Sequence, residues 1–154
     1  MFELNVYSLS EFSVLEKLFL LNNENKDLVF FCIGTQKYYL DSFGTKIGDK
    51  LKKLNFFVYG SSKREINGNN FLKVYEFIKK KHPNSKIIVI DSVYVKGNKK
   101  PILIYKNTPI NAGSLIGNYQ IGHEGILFNS FSYSKIDDFN KIINLMANFF
   151  AKLN

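Results

Sequence analysis

The sequence is poor in the residues that build disulfides and read DNA bases. Its 154 residues include one cysteine, Cys32, one arginine, Arg64, three prolines and no tryptophan. A single thiol cannot form an internal disulfide, and its place inside the apolar stretch LVFFCIG predicts a buried, unreactive side chain. Because bidentate contacts to bases depend on arginine, we expect no sequence-specific recognition of nucleic acid.

The sequence also shows no targeting or membrane-spanning segment. No apolar run reaches the roughly 18 residues that a membrane-spanning helix needs. The first residues, MFELNVYSLSEF, do not show the basic region and apolar core of a secretory signal. We therefore expect a cytoplasmic protein without membrane contact.

Lysine and apolar side chains, in contrast, are abundant. The chain has 21 basic and 13 acidic residues, a formal net charge of +8, and 45% hydrophobic residues. Every basic residue except Arg64 is a lysine. This length and composition predict a single domain, residues 1–154, with a solvated lysine surface that favours an acidic partner. The composition leaves the oligomeric state open.

Apolar stretches of strand length alternate with segments of helical periodicity. The expected strands are DLVFFCIG, NFFVYG, KIIVID, PILIYK (beginning at Pro101) and EGILFNSF. The expected helices are SLSEFSVLEKLFLLNN, DSFGTKIGDKLKKL, NNFLKVYEFIKKKHPN and SKIDDFNKIINLMANFFAKLN. In the second helix, Gly44 and Gly48 lower the helix propensity but allow a close approach to the sheet. Strands this uniformly apolar are typical of parallel sheets covered on both faces, so we predict a three-layer α/β/α sandwich wired by right-handed crossovers.

Two acids stand where ligands bind in such folds, at the carboxyl ends of strands. Asp41 follows the loop after the first strand, and Asp91 is the last residue of KIIVID. If these strands are neighbours, two close carboxyls resist joint ionisation, which gives one acid and one base for hydrolysis. The same pair with His123 would suit a divalent metal. Alternatively, Asp41 caps a helix and Asp91 caps a turn.

Four segments together resemble the YyaC-type family of sporulation proteins. They are FCIGTQKYYLDSFGTKIG, VYGSSKREINGNNF, KKKHPNSKIIVID and PINAGSLIGNYQIGHEGILFNSF, the last including Gly113. The resemblance covers about residues 27–150. It divides the domain into an N-terminal helical extension, residues 1–26, and a family-matching core, residues 27–154.

The resemblance implies a phosphorylase/hydrolase-like sandwich related to germination proteases and, more remotely, to hydrogenase maturation proteases. In the germination proteases, whose substrates are small acid-soluble spore proteins, the proposed catalytic acids stand at the places of Asp41 and Asp91. In the maturation proteases, the corresponding acids and a histidine bind nickel. A location in the forespore or mother cell of a spore-forming bacterium is also implied.

These observations predict an endopeptidase that hydrolyses spore proteins with Asp41 and Asp91 and needs no cofactor. One alternative is a catalytically inactive adaptor of the same fold. A second is a metal-dependent peptidase using Asp41, Asp91 and His123. Tyr38 and Tyr39 are expected in the loop above the cleft, where they either line a peptide-binding cleft or contact surface or pack against the loop. His82 is expected at a helix end, where it interacts with the helix dipole.

Overall fold

The computed structural model describes residues 3–6, 9–93, 102–112, 119–129 and 136–153. In chain order the elements are β1 (Glu3–Val6), α1 (Leu9–Asn23), β2 (Leu28–Cys32), a short 3-10 helix (Tyr39–Ser42), α2 (Phe43–Lys52), β3 (Phe57–Tyr59), α3 (Phe71–Lys81), β4 (Lys86–Val93), β5 (Ile102–Lys106), β6 (Ile110–Ala112), β7 (Tyr119–Ile121), β8 (Glu124–Asn129) and α4 (Ile136–Ala151). Pro101, Gly113 and the start of the last expected helix lie outside the described residues.

A six-stranded sheet forms the middle layer of the domain, in the order β1-β5-β8-β4-β2-β3. The four neighbours β8, β4, β2 and β3 run parallel to one another. β5 runs antiparallel to both β1 and β8. The sheet is therefore mostly parallel, and the predicted α/β/α sandwich is confirmed.

Each face of the sheet has its own apolar core, because successive strand residues point to opposite faces. One core joins Phe30, Ile88 and Ile90 to buried side chains of α1, α2 and α4. The other joins Phe31 and Val89 to α3 and to the β6–β7 pair. Both faces of the central strands are covered, which explains their uniformly apolar sequences.

The helices bury the faces that their periodicity predicts. In α2, Phe43, Ile47 and Leu51 are fully buried. In α3, Phe71 and Ile78 are buried and point to the second core. In the described part of α4, the buried residues are Phe139, Ile143, Met146, Phe149 and Phe150. The described residues include no helix with the length and apolarity needed to cross a membrane.

Some strands differ from the expectation. β1 and the β6–β7 pair, each of three or four residues per strand, are not predicted, because such short strands carry little periodicity. β5 follows β4 without any helix in the described residues between them, and it runs antiparallel to β8. The predicted right-handed crossover connection therefore does not apply to β5. β4 continues to Val93, so Asp91 is not its last residue.

Candidate functional site

The two acids come from elements that are neighbours in the sheet. β2 and β4 are adjacent and parallel, and their last paired residues are Cys32 and Ile90. The amide of Ile33 donates to the carbonyl of Ile90 over 2.8 Å, after which the chain leaves β2. Asp91 is therefore the first residue of β4 beyond its pairing with β2. The condition that the sequence left open is met, since β2 and β4 are neighbours, and Asp91 lies just beyond the carboxyl end of their pairing.

The loop that carries Asp41 is held over the same edge by backbone contacts. The amide of Thr35 donates to the Asp41 carbonyl oxygen over 3.0 Å. A Cβ atom at Gly34 would lie 2.6 Å from that carbonyl oxygen, so a residue without a side chain is needed at this close approach. Asp41 lies in the 3-10 helix and its side chain is exposed to solvent.

Ser92 connects the two segments of the site. Its amide donates to Oδ1 of Asp91 over 2.7 Å, which fixes the orientation of that carboxyl. Its hydroxyl donates to the carbonyl oxygen of Leu40 over 3.0 Å, so the residue before Asp41 is tied to the residue after Asp91. Sequence reasoning gave Ser92 no role. The available signal was a hydroxyl directly after an acid within a buried strand.

Asp91 has an environment that favours its protonated form. The pKa of Asp91 is raised from 3.8 to about 7. Burial is the largest cause, the charge of Asp41 adds to the increase, and the hydrogen bond from the Ser92 amide opposes it. The charge of Asp41 is the smaller of the two causes that raise the pKa of Asp91, after burial. The site thus combines the half-buried carboxyl of Asp91, whose pKa burial raises to about 7, with the exposed carboxyl of Asp41 in the loop tied to it through Ser92.

Capping does not account for Asp41. α2 begins at Phe43, its N-cap residue is Ser42, and no side chain caps its amides. Among the described residues, no hydrogen bond or ion pair partner is found for the Asp41 carboxylate. Asp91 does accept a bond from the amide that follows it, as a turn-forming aspartate would, but it does so within β4.

The aromatic loop residues have different roles. Tyr39 packs its ring 4.8 Å from that of Phe139, and the ammonium group of Lys46 lies 5.7 Å from its centroid. Tyr38 is 59% exposed and lies beneath Lys37, whose Nζ is 5.6 Å from the ring centroid. Tyr39 thus anchors the loop, whereas Tyr38, in the same loop as Asp41, exposes its ring to solvent.

His123 lies at the opposite end of the sheet from the two acids. Its backbone amide donates to the Ile87 carbonyl over 2.8 Å, and its Nδ1 accepts from the Ile87 amide over 3.0 Å. Asp91 is paired with Leu127 of β8. Leu127 lies four residues after His123, which corresponds to about 13 Å at the rise of a β-strand. The structure therefore does not bring His123 to the acid pair. Within the described residues, no group of three or more His, Cys, Asp or Glu side chains is arranged to hold a metal ion.

His82 is likewise remote from the acids. It follows the last residue of α3, and its Nε2 lies 2.7 Å from the hydroxyl of Tyr59. Its ring also contacts that of Phe57, with 4.9 Å between centroids. His82 therefore belongs to an aromatic cluster at the edge of the sheet.

The fold is an α/β/α sandwich in which Asp91 and the loop that carries Asp41 lie at the carboxyl edge of the parallel strands. A family model described as a protein of unknown function, DUF1256, matches residues 5–146, and the chain belongs to this family. The matched region begins within β1 and includes α1, so it also covers most of the segment before β2. No curated protein and no solved structure shows significant similarity to the chain.

Proposed function

We propose that the protein is an endopeptidase in which Asp91 acts as the acid and Asp41 as the base. The observation that carries the proposal is the half-buried carboxyl of Asp91 at the end of the β2–β4 pairing, linked through Ser92 to the loop of Asp41. Burial there raises the pKa of Asp91 to about 7, and the charge of Asp41 contributes. A general acid works best when its pKa lies near the working pH. Two carboxyls in unlike environments also separate the two roles, since one stays protonated while the other is ionised.

The reaction then needs one water molecule and no covalent intermediate. Asp41 accepts a proton from the water molecule while the water oxygen bonds to the carbonyl carbon of the substrate. Asp91 donates its proton to the amide nitrogen as the carbon–nitrogen bond breaks, which releases a neutral amine. Transfer of a proton from Asp41 to Asp91, directly or through solvent, restores the starting state.

The substrate class follows from the resemblance to YyaC-type proteins and germination proteases. We propose that the substrates are spore proteins, including small acid-soluble spore proteins, and that the enzyme works in the forespore or mother cell. The exposed ring of Tyr38 and the ammonium group of Lys37, in the loop that leads to Asp41, are suited to contact an extended polypeptide.

The test is cleavage of purified small acid-soluble spore proteins at pH 6.5 in the presence of EDTA, followed by mass spectrometry of the products. We expect cleavage by the wild type and a loss of at least about 100-fold in kcat/KM for Asp41→Asn and for Asp91→Asn, since acid–base catalysis contributes about that much or more. Asp27→Asn is the matched control, because Asp27 accepts a hydrogen bond from Ser85 before the start of β2, at the other end of the sheet.

Other outcomes separate the alternatives. Cleavage that EDTA abolishes and a divalent ion restores would support a metal-dependent peptidase instead. A spore protein that binds intact, and equally well to both Asp variants, would contradict the peptidase and support an adaptor. Because Asp91 must be protonated, kcat/KM is expected to fall as the pH rises through about 7.

A further inference from the structure

The outer edge of the sheet carries a continuous row of aromatic rings. β3 is the last strand in the sheet order and pairs with β2. The ring of Phe57 lies 4.9 Å from that of His82, His82 lies 5.6 Å from Tyr59, and Tyr59 lies 6.0 Å from Phe77. We call these four residues the edge stripe. Phe57 and Phe77 remain 59% and 54% exposed in spite of these contacts.

A shallow hollow on α3 extends the edge stripe. It is lined by Leu72, Lys73, Glu76, Phe77 and Lys80, which share one side of the helix because of their spacing. Leu72 and Phe77 supply its apolar surface, and the charged side chains surround them. The hollow can therefore accept an apolar side chain from a partner.

The charge around the hollow is strongly positive. α3 carries Lys73, Lys79, Lys80 and Lys81 against one acid, Glu76. Glu76 is already paired with Lys79, at 2.8 Å. In the part of the chain that the structure describes, no carboxylate forms an ion pair with Lys73, Lys80 or Lys81. Three ammonium groups near Phe77 thus have no neutralising partner among these residues.

We propose that the edge stripe and the α3 hollow dock an acidic protein segment that carries a large apolar side chain. The apolar side chain would occupy the hollow beside Phe77, and flanking carboxylates would pair with Lys73, Lys80 and Lys81. Exposed aromatic residues with a charged rim are the usual composition of such contacts. Complementary charge makes the association fast and selects against basic partners.

Two other occupants fit these observations less well. A second copy of the chain in a symmetric contact would bring the lysines of two α3 helices together, which costs energy. A nucleic acid would meet the lysines, but the apolar surface of Leu72 and Phe77 serves an apolar side chain better than a phosphate backbone. Binding of either a second copy of the chain or a nucleic acid at this surface would overturn the proposal.

The docking surface is separate from the acid pair. Phe57 is paired with Val29, near the start of β2, and His82 precedes the start of β4. Asp91 lies beyond the other end of the β2–β4 pairing. The proposal therefore stands whether or not the acid pair catalyses hydrolysis.

The test is a selection of random 12-residue peptides on the immobilised full-length protein at low salt, followed by fluorescence anisotropy with the enriched peptides. We expect enrichment of Asp and Glu around one or more Leu, Ile or Phe residues. Affinity should fall at least tenfold in Phe77→Ser and in Lys73→Glu/Lys80→Glu, and it should decrease as the salt concentration rises. Phe77 is exposed, so Phe77→Ser should unfold at the same urea concentration as the wild type.

Matched controls are Leu21→Ser, at a residue that is 76% exposed on α1, and Lys17→Glu/Lys141→Glu, on α1 and α4. Both should bind like the wild type. Failure to enrich any peptide, enrichment of neutral or basic peptides, or binding insensitive to Phe77→Ser would overturn the proposal. So would a single-stranded 12-nucleotide DNA that binds through the same lysines while peptides do not. A dimer detected by sedimentation and lost in Phe77→Ser would also overturn it.

Discussion

Asp91 and Asp41 are the same residue type in two environments, and only the environment of Asp91 favours the protonated carboxyl. Asp91 is partly buried at the end of the β2–β4 pairing, whereas Asp41 is exposed in a loop. Burial makes ionisation of Asp91 costly, and the charge of Asp41 adds to that cost. The raised pKa of Asp91 thus belongs to the folded chain only, and it should make the free energy of unfolding depend on pH.

We predict that Asp91→Asn is more stable than the wild type at pH 8. The pKa of Asp91 rises from 3.8 to about 7 on folding, so between these values the folded state holds a proton that the unfolded state has released. The free energy of unfolding therefore decreases as the pH rises through this window. Asn avoids the cost, and the gain at pH 8 should be about 2–4 kcal/mol, measured by urea denaturation.

The pH dependence provides the control for this prediction. The advantage of Asp91→Asn should shrink as the pH is lowered towards about 3, below the pKa of the carboxyl in both the folded and the unfolded state. Asp41→Asn removes only the smaller of the two causes that raise the pKa of Asp91. Its gain in the free energy of unfolding at pH 8 should therefore be only a fraction of the gain for Asp91→Asn. An Asp91→Asn variant that is equally or less stable at pH 8 would contradict the assigned environment.

The close approach of α2 to the sheet places the loop that carries Asp41. A Cβ atom at Gly44 would lie 1.9 Å from the carbonyl oxygen of Ile33, and one at Gly48 would lie 2.0 Å from that of Gly60. The sequence prediction that these two glycines serve helix–sheet packing is thereby confirmed. Their low helix propensity is offset by the contact of Phe43, Ile47 and Leu51 with the core.

We predict that Gly44→Ala destabilises the domain by about 3 kcal/mol or more, because the new methyl group must displace backbone atoms and the helix must shift. The measurement is urea denaturation at pH 6. Gly68→Ala is the control, since a Cβ atom at Gly68 meets nothing within 4 Å. It should change stability by less than about 0.5 kcal/mol. Equal effects of the two substitutions would contradict the close packing.

A buried polar network joins the first residues of β4 and β8 to the carboxyl-terminal ends of α1 and β5. Glu124, 2% exposed at the start of β8, accepts from Lys86 of β4 at 2.6 Å and from Asn23 of α1 at 3.1 Å. Tyr105 of β5 donates its hydroxyl to the other carboxylate oxygen. Burial, reinforced by Glu124, raises the pKa of Tyr105, so the phenol remains a donor. One carboxylate thus connects one helix and three strands across the domain.

We predict that Lys86→Met costs about 3 kcal/mol or more in the free energy of unfolding, because it leaves the Glu124 carboxylate buried without its cation. The exposed pair of Lys79 and Glu76 is the control, and Lys79→Met should cost less than about 0.5 kcal/mol. Adding Glu124→Gln to Lys86→Met should recover part of the loss. Similar costs for Lys86→Met and Lys79→Met would contradict the network.

Periodicity predicted the four helices because each buries a regular apolar face, and continuous apolar runs predicted the long central strands because both of their faces are covered. Asp91 could be placed at the carboxyl edge, because a charge after KIIVI ends an otherwise buried pattern. The antiparallel direction of β5 could not be predicted, since an apolar strand covered on both faces reads the same in either direction. The sequence also suggested His123 as a partner of the acids. Its distance from them is fixed by the strand register of β4 and β8, which apolar spacing does not encode.

Cys32 supplies a means of observing how the sheet opens. It is the one thiol of the chain, fully buried in β2, and burial raises its pKa well above the ordinary value. An alkylating reagent can therefore reach a reactive thiolate only when β2 becomes exposed to solvent. When reclosure is faster than alkylation, the labelling rate at a given reagent concentration reports the opening equilibrium directly. The wild-type chain thus carries its own reporter of local opening, in the strand next to the one that bears Asp91.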